Sequence, residues 1–365
     1  MRVLRIKEPK RGSAFFGMAL VEDIFSFGVS ATSVSEGEFV SPSQEPVDVS
    51  GPDFIDAPYF LVAQAIGDQA AENSEYPSAR VAALGSTFLN DIREIQLFGD
   101  RYSPPSGTQY TPVSVLDDLG QFVTTSSLSK QVESTVAFVD GYGSKGAELG
   151  GFLVLGAGDE QEICLVVSLT STSATIKRGC LDTIPSSWPS GTVARWVKRS
   201  SSVLDTTEAT TGQTLLYKML PVTSARRLKL SEATERTYTV QDRLHRPLRP
   251  ANVAVNGSMV FATSIPHTDT SMIVSWSKRN RVTETSQVLA WDDTSVTAEA
   301  GQTTEVELRR SGILLASAYG VSGTTTTLDL SAVVLSYGDS LTLSIHSIRS
   351  GFTSWKSVEI PIAVT

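Results

Sequence analysis

The sequence predicts a mainly β protein: a small α+β block at the N-terminal end, then a small β-module of barrel or sandwich type, then a compact β-sandwich. Three observations carry that reading. Helical periodicity is confined to the residues before 135. Beyond them, short apolar runs recur at even spacing between Gly, Asp, Ser and Pro clusters, as they do in small barrels and sandwiches. Finally, residues 242–252 read Asp-Arg-Leu-His-Arg-Pro-Leu-Arg-Pro-Ala-Asn. The two prolines fix φ and push the residues before them into extended backbone, so this stretch is a stiff joint between two blocks.

Composition narrows the classes. At 365 residues with 41% hydrophobic content the chain can bury ordinary cores in two or three domains. A net charge of -9 argues against broad nucleic-acid binding, and the basic pair Arg226-Arg227 is short and solvated in this reading. Arg2, Arg5, Lys7, Lys10 and Arg11 ahead of the apolar run 14–21 imitate a secretory leader, but Glu22 and Asp23 end that run early and the basic residues alternate as in a strand. No stretch approaches the ~20 apolar residues of a membrane-spanning helix, so no integral membrane segment is expected.

The elements follow in order. Val3, Leu4 and Ile6, a turn over 7–13, and an apolar run over 15–24 that opens with Phe15 and Phe16 predict a β-hairpin. A lone hairpin is marginal in water, so these five apolar residues are candidate contacts with another subunit. After a loop over 26–51, Asp56-Ala57-Pro58 marks a helix start with Asp56 as N-cap. Tyr59, Val62, Ala63 and Ile66 then recur at i, i+3, i+4 and i+7, ending the helix near Gly67 or Glu72. Residues 79–84 and 92–98 read as a strand pair and 113–119 as a short helix. Strands are expected at 151–155, 162–169, 173–178, 192–197, 214–221 and 237–241.

Past the joint, strands are expected at 253–255, 272–276, 304–309, 313–319, 325–330, 340–348 and 357–362. Seven in this length is the count of an immunoglobulin-like sandwich, with Trp276 as its central core residue. The absence of a cysteine pair there favours the fibronectin type III variant. The predicted boundaries are 1–28 for the hairpin, 29–134 for the α+β block, 135–241 for the β-module, 242–250 for the joint and 251–365 for the sandwich.

Chemistry is sparse. Gly141-Tyr142-Gly143-Ser144-Lys145-Gly146 matches a dinucleotide fingerprint, but no helix follows to receive a pyrophosphate, so it reads as a glycine-rich turn. Cys164 and Cys180 lie on neighbouring strands, close enough to pair in principle; two reduced, buried thiols are the reading preferred here. His267 and His346 fall in a loop and on a strand and make no metal site or triad. The acidic pairs Asp117-Asp118, Asp159-Glu160 and Asp292-Asp293 sit beside turns, where acids act as caps, so a glycoside hydrolase is disfavoured. No catalytic, cofactor-binding or metal-binding residue is assigned. Trp188, Trp196, Trp291 and Trp355 read as packing or contact residues, and Arg279, Arg281 and Trp291 mark an exposed contact loop over 279–293.

Taken together, several motifs resemble a known family. Arg2-Val3-Leu4-Arg5-Ile6 with Leu20-Val21-Glu22-Asp23-Ile24-Phe25 resembles the hairpin that closes the hub region in large tail proteins of siphophages and gene transfer agents. Ala57-Pro58-Tyr59-Phe60-Leu61 resembles the helix that follows it there. Glu162-Ile163-Cys164, Lys177-Arg178-Gly179-Cys180, Leu181-Asp182-Thr183-Ile184-Pro185 and Gly191 resemble the family's small β-module. Arg243, Arg246-Pro247 and Arg249-Pro250 resemble the lead-in to its fibronectin type III domain, and Ser275 to Arg281 that domain's second strand.

The resemblance implies a non-enzymatic structural subunit of a phage tail tip or baseplate, in the virion tail and assembled in the host cytoplasm. Its implied partners are other hub, tail-tip and tail fibre proteins, its own copies as a homo-oligomer with a trimer favoured, and a host surface glycan or receptor. A carbohydrate- or receptor-binding module of the virion is the alternative. Family members carry long hub domains ahead of the hairpin, whereas here Met1 directly precedes it. Either the chain is a fragment, or a separately encoded hub is completed by this hairpin through strand addition, the reading favoured here.

Overall fold

The computed structural model describes residues 2–7, 17–21, 44–87, 91–138 and 146–365. The chain divides into two compact units, Met1–Pro42 and Ser43–Thr365. In the first, Arg2–Lys7 pairs antiparallel with Gly17–Val21, which is the expected hairpin. Phe15 and Phe16 lie outside the described residues, as does the glycine-rich turn over 141–145.

The second unit is mainly β, in sandwich-like layers. Its central sheet has six strands in the order Gly120–Val123, Val193–Val197, Phe152–Leu155, Glu162–Leu169, Ser173–Cys180, Glu133–Ala137. The run Phe-Leu-Val-Leu explains why this sheet is central. Side chains alternate between faces, so Phe152 and Val154 enter a core with the helix Tyr59–Ile66, while Leu153 and Leu155 enter a second core around Trp196. A continuous apolar strand is therefore covered on both sides. Phe122 and Phe138 each lie 5.4 Å from the Trp196 ring and fill that second core.

A four-stranded sheet, Arg236–Thr239, Thr214–Val222, Glu94–Asp100, Thr111–Leu116, packs alongside. The sheets of this unit correct three expectations. In place of the helix predicted over 113–119, Thr111–Leu116 forms a strand, with Thr111, Pro112, Ser114, Val115 and Leu116 paired across to Glu94–Asp100 and Leu116 buried. The strands near 79–84 and 92–98 do not pair with each other. Val81–Ser86 pairs with Ser50–Asp56, a strand that emerges from what reads as the end of a loop, and Glu94–Asp100 pairs with Thr214–Val222. The boundary at 134/135 is also crossed, since Glu133–Ala137 straddles it to pair with Ser173–Lys177 and Val123 lies opposite Val193. Antiparallel partners this distant in sequence leave no trace in local periodicity.

The helix Tyr59–Ile66 buries Tyr59, Phe60, Val62 and Ala63 and stops at Gly67, whose φ of 89° breaks helical geometry; Asp68–Glu72 is a separate turn of helix. Asp56 is not its N-cap. That carboxylate ends a strand and accepts from Tyr238 Oη and the Gln241 amide, both at 3.0 Å, and its burial raises its pKa above the ordinary aspartate value.

The C-terminal sandwich has all seven expected strands and, beside them, the short strands Ser258–Met259, Thr263–Ile265 and Phe352–Thr353. One sheet runs Ser258–Met259, Ala251–Val255, Ser271–Ser277, Thr325–Asp329; the other runs Thr263–Ile265, Val358–Val364, Ser340–Arg349, Thr303–Arg310, Ile313–Val321. Of the seven expected strands, the first, second and fifth share one sheet, and the third, fourth, sixth and seventh the other, as in a fibronectin type III domain. Trp276 lies buried between them with Val274, Leu308 and Ile345.

Candidate functional site: an arginine-clamped joint and its cleft

The β-module and the sandwich meet at a joint whose polar residues are buried or half-buried. Its foundation is Glu162, on the strand Glu162–Leu169, facing Arg178 near the end of the neighbouring strand. Arg178 donates Nε and Nη2 to the two carboxylate oxygens at 2.6 Å each. Its remaining N–H groups reach the Ser129 carbonyl and Ser134 Oγ at 3.0 Å and the Ser186 carbonyl at 2.6 Å, so all five guanidinium donors are used. Glu162 also accepts from the amides of Gly179 and Ser186 and from Trp188 Nε1 at 2.8 Å. A buried ion pair persists only when its leftover donors and lone pairs are satisfied in this way.

Gly179 carries the next layer. Its φ is 67°, and a Cβ there would lie 2.6 Å from Pro185 Cδ and 3.0 Å from the Cβ of Trp291. Only glycine allows the approach. Trp291, 1% exposed, seats its ring in the sandwich core while its amide donates to the Arg178 carbonyl at 2.9 Å. One residue thus belongs to both modules.

This corrects the expected exposed contact loop. Arg279 is 4% exposed and, in place of facing a partner, donates to the carbonyls of Lys278, Ala290, Trp291, Asp293 and Thr294, folding residues 279–294 back on themselves. Arg281 pairs with Glu299 at 3.0 Å, donates to the Leu244 carbonyl, and lies 4.8 Å above the Tyr59 ring. Charge suggested exposure; the backbone carbonyls of an irregular loop instead recruited the guanidinium groups inward.

The Pro-rich joint is held the same way. Arg246 makes a two-point contact with Asp242 and reaches the Thr353 carbonyl at 3.1 Å; Arg349 reaches the His245 carbonyl at 2.8 Å and Glu299 at 3.2 Å. Asp182, in the loop after the Arg-Gly turn, accepts from both the amide and Nε of Arg249. Sequence reading placed a stiff joint here but gave the arginines no role beyond their resemblance.

Between the modules the joint leaves a polar cleft of about 520 Å³, lined in part by Gln161, Asp182, Arg243, Arg249 and Trp355, with the Glu160–Lys356 ion pair linking its two sides. Trp188 and Trp196 are packing residues. Asp117 and Asp118 accept from the amides of Ser202 and Thr87, and Asp293 from that of Ala290, as caps do. His267 is on an exposed loop, and His346 pairs with Glu305 across the sheet. The two cysteines are free and buried. Among the described residues no helix is long and apolar enough to cross a membrane, and no group of His, Cys, Asp or Glu could hold a metal ion.

Glu284 was missed by sequence reading, since one acid in a polar turn carries no signal. It is buried against Arg279 beside Asp182 and Arg249, and its Oε1 has no hydrogen-bond partner among the described residues. Burial pushes its carboxyl up to about 8, against the pull of Arg279 and helped by Asp182 and Asp293. The folded state then holds this proton more tightly than the unfolded chain, so the stability it contributes is full below about pH 4.5 and is lost as pH rises through about 8. Glu284→Gln should flatten that decline and stabilise the chain by about 2 kcal/mol at about pH 9. Urea midpoints across the pH range check it, and an unchanged pH profile contradicts it.

No family model matches the chain, and none of the curated proteins matches it. Among solved structures it is similar to the crystal structure of chicken CNTN1 FN1-FN3 domains at 10% identity, covering 79% of this chain and 94% of that one with a TM-score of 0.22. The sandwich assignment rests on the strand order of this chain.

Proposed function

We propose that the protein is a structural component of a phage tail tip or baseplate, assembling as a homo-oligomer around the tail hub near the host-binding end and taking part in attachment and genome delivery. One observation supports this most. The family-like motif residues Glu162, Arg178-Gly179, Asp182, Arg249, Arg279 and Arg281 are dispersed over more than a hundred positions in sequence yet meet in one joint. Motifs that share a single structural task support a resemblance better than any of them alone. A clamped joint also suits a part that must transmit load between neighbours without bending.

The hairpin is the proposed point of attachment to the hub. Among the described residues its two strands pair only with each other, leaving edges for strand addition. Deleting residues 1–25 should abolish incorporation, read by immunoblot of purified tails. Tails that retain the truncated chain at the full level would contradict strand donation, and absence of the intact chain from tails would contradict the virion assignment itself.

A second reading, a carbohydrate- or receptor-binding module, is favoured by the cleft, where Trp355 and polar side chains converge. Binding on a glycan array that is lost in Trp355→Ala would support it.

A further inference from the structure

We propose that the cleft between the β-module and the sandwich is a site for an acidic sugar, whose carboxylate is taken by Arg243. The inference rests on the carbohydrate-binding reading of this cleft and adds the charge of its ligand. Charge on the cleft walls is only partly balanced. Glu160 pairs with Lys356 and Asp182 with Arg249, which leaves the cations of Lys130 and Arg243 against the exposed carboxylate of Glu359. Lys130 is exposed and stands over the Phe261 ring, whereas Arg243 is half-buried. The Nη1 and Nη2 groups of Arg243 donate to the carbonyls of Asp56 and Leu181 at 3.4 and 3.2 Å, and its buried Nε has no partner among the described residues. The two carboxylates that act on it, Asp56 and Asp182, are turned to other donors: Asp56 accepts from Tyr238 and Gln241, and Asp182 from Arg249. Burial pulls this guanidinium below the ordinary arginine value. A desolvated cation without a counter-ion is costly, and the planar fork of an arginine suits a carboxylate.

The rest of the lining selects the body that carries the carboxylate. Gln161 is 6% exposed and lines the same cleft, and neither the nitrogen nor the oxygen of its amide has a partner among the described residues. Such an amide offers donors and an acceptor together, which is what a sugar hydroxyl needs. The half-buried indole of Trp355 is held by Arg246, 5.6 Å from its ring, and supplies an apolar wall for the C–H face of a sugar. An aspartate or glutamate side chain of a peptide has neither the hydroxyls nor that face. Two cations against one carboxylate leave a single positive charge, which matches a monoanion, and about 520 Å³ is room enough for a small ligand.

The experiment titrates the full chain by calorimetry with glucuronic acid and with N-acetylneuraminic acid, against glucose, acetate and oligoglutamate as controls. At least one acidic sugar is expected to bind, at least about tenfold more tightly than any control. Arg243→Gln should abolish that preference. Because Arg243 also holds two backbone carbonyls, Gln161→Leu serves as a second variant. It removes an unpaired amide at nearly constant volume, so folding is kept, and it should weaken binding of the acidic sugar by about tenfold. Glucose binding as tightly as the acids, with Arg243→Gln without effect, would overturn the proposal and leave the carbohydrate reading standing. Acetate or oligoglutamate binding as tightly would overturn it in favour of a plain anion or an acidic peptide. No binding of either acid would also overturn it, and a silent glycan array beside that result would remove the carbohydrate reading as well.

Discussion

Arg178→Ala is expected to destabilise the protein by about 3–5 kcal/mol, the largest loss of any single polar substitution in the molecule. Removing the guanidinium leaves the Glu162 carboxylate buried with the Gly179 and Ser186 amides, Trp188 Nε1 and the Cys164 thiol to hold it, and it orphans the carbonyls of Ser129 and Ser186. Guanidinium unfolding followed by tryptophan fluorescence measures the loss, since Trp188 sits on the network itself. The paired variant Arg178→Met with Glu162→Leu should recover most of the stability, because removing both charges leaves neither stranded. A single-variant loss below about 1 kcal/mol, the size of a solvated surface pair, would mean that the network is not closed to water.

Trp291→Ala carries the second large effect, about 3–5 kcal/mol, as for other buried aromatic side chains cut to alanine. Its consequence differs in kind. The ring fills the sandwich core and packs near Phe261, with ring centres 5.8 Å apart, while its backbone rests on Gly179 and Arg178 of the β-module. Emptying that site lowers the stability of the sandwich and loosens its grip on the module beside it. Calorimetry should show one shared transition for the two modules in the parent chain and two separated transitions in the variant. A uniform shift of a single transition would place the coupling elsewhere, in the Asp182–Arg249 and Asp242–Arg246 pairs.

How much of this was legible in the sequence depended on how local its cause was. The sandwich strands and the helix around Tyr59 follow from side-chain periods of two and of 3.6 residues, which any short window contains. Trp276 could be placed because an apolar strand end in a seven-strand sandwich has one place to go. The four-stranded sheet was not legible, because Glu94–Asp100 finds Thr214–Val222 more than a hundred residues away and nothing near either marks the match. The candidate site was half legible. The prolines announced a joint, but Arg279 and Arg281 looked like solvent-facing charges, and only the fold reveals the ring of backbone carbonyls that draws them in. Glu284 shows the limit most plainly, since its chemistry comes from what surrounds it and not from its neighbours in the chain.

The central claim is that the β-module and the sandwich move as one body through the clamped joint. Spin labels placed on exposed Ser171 in the module and exposed Ser311 in the sandwich would report it directly by pulsed electron resonance. The account predicts a single narrow distance distribution that broadens in Trp291→Ala. A distribution already broad in the parent chain would contradict it.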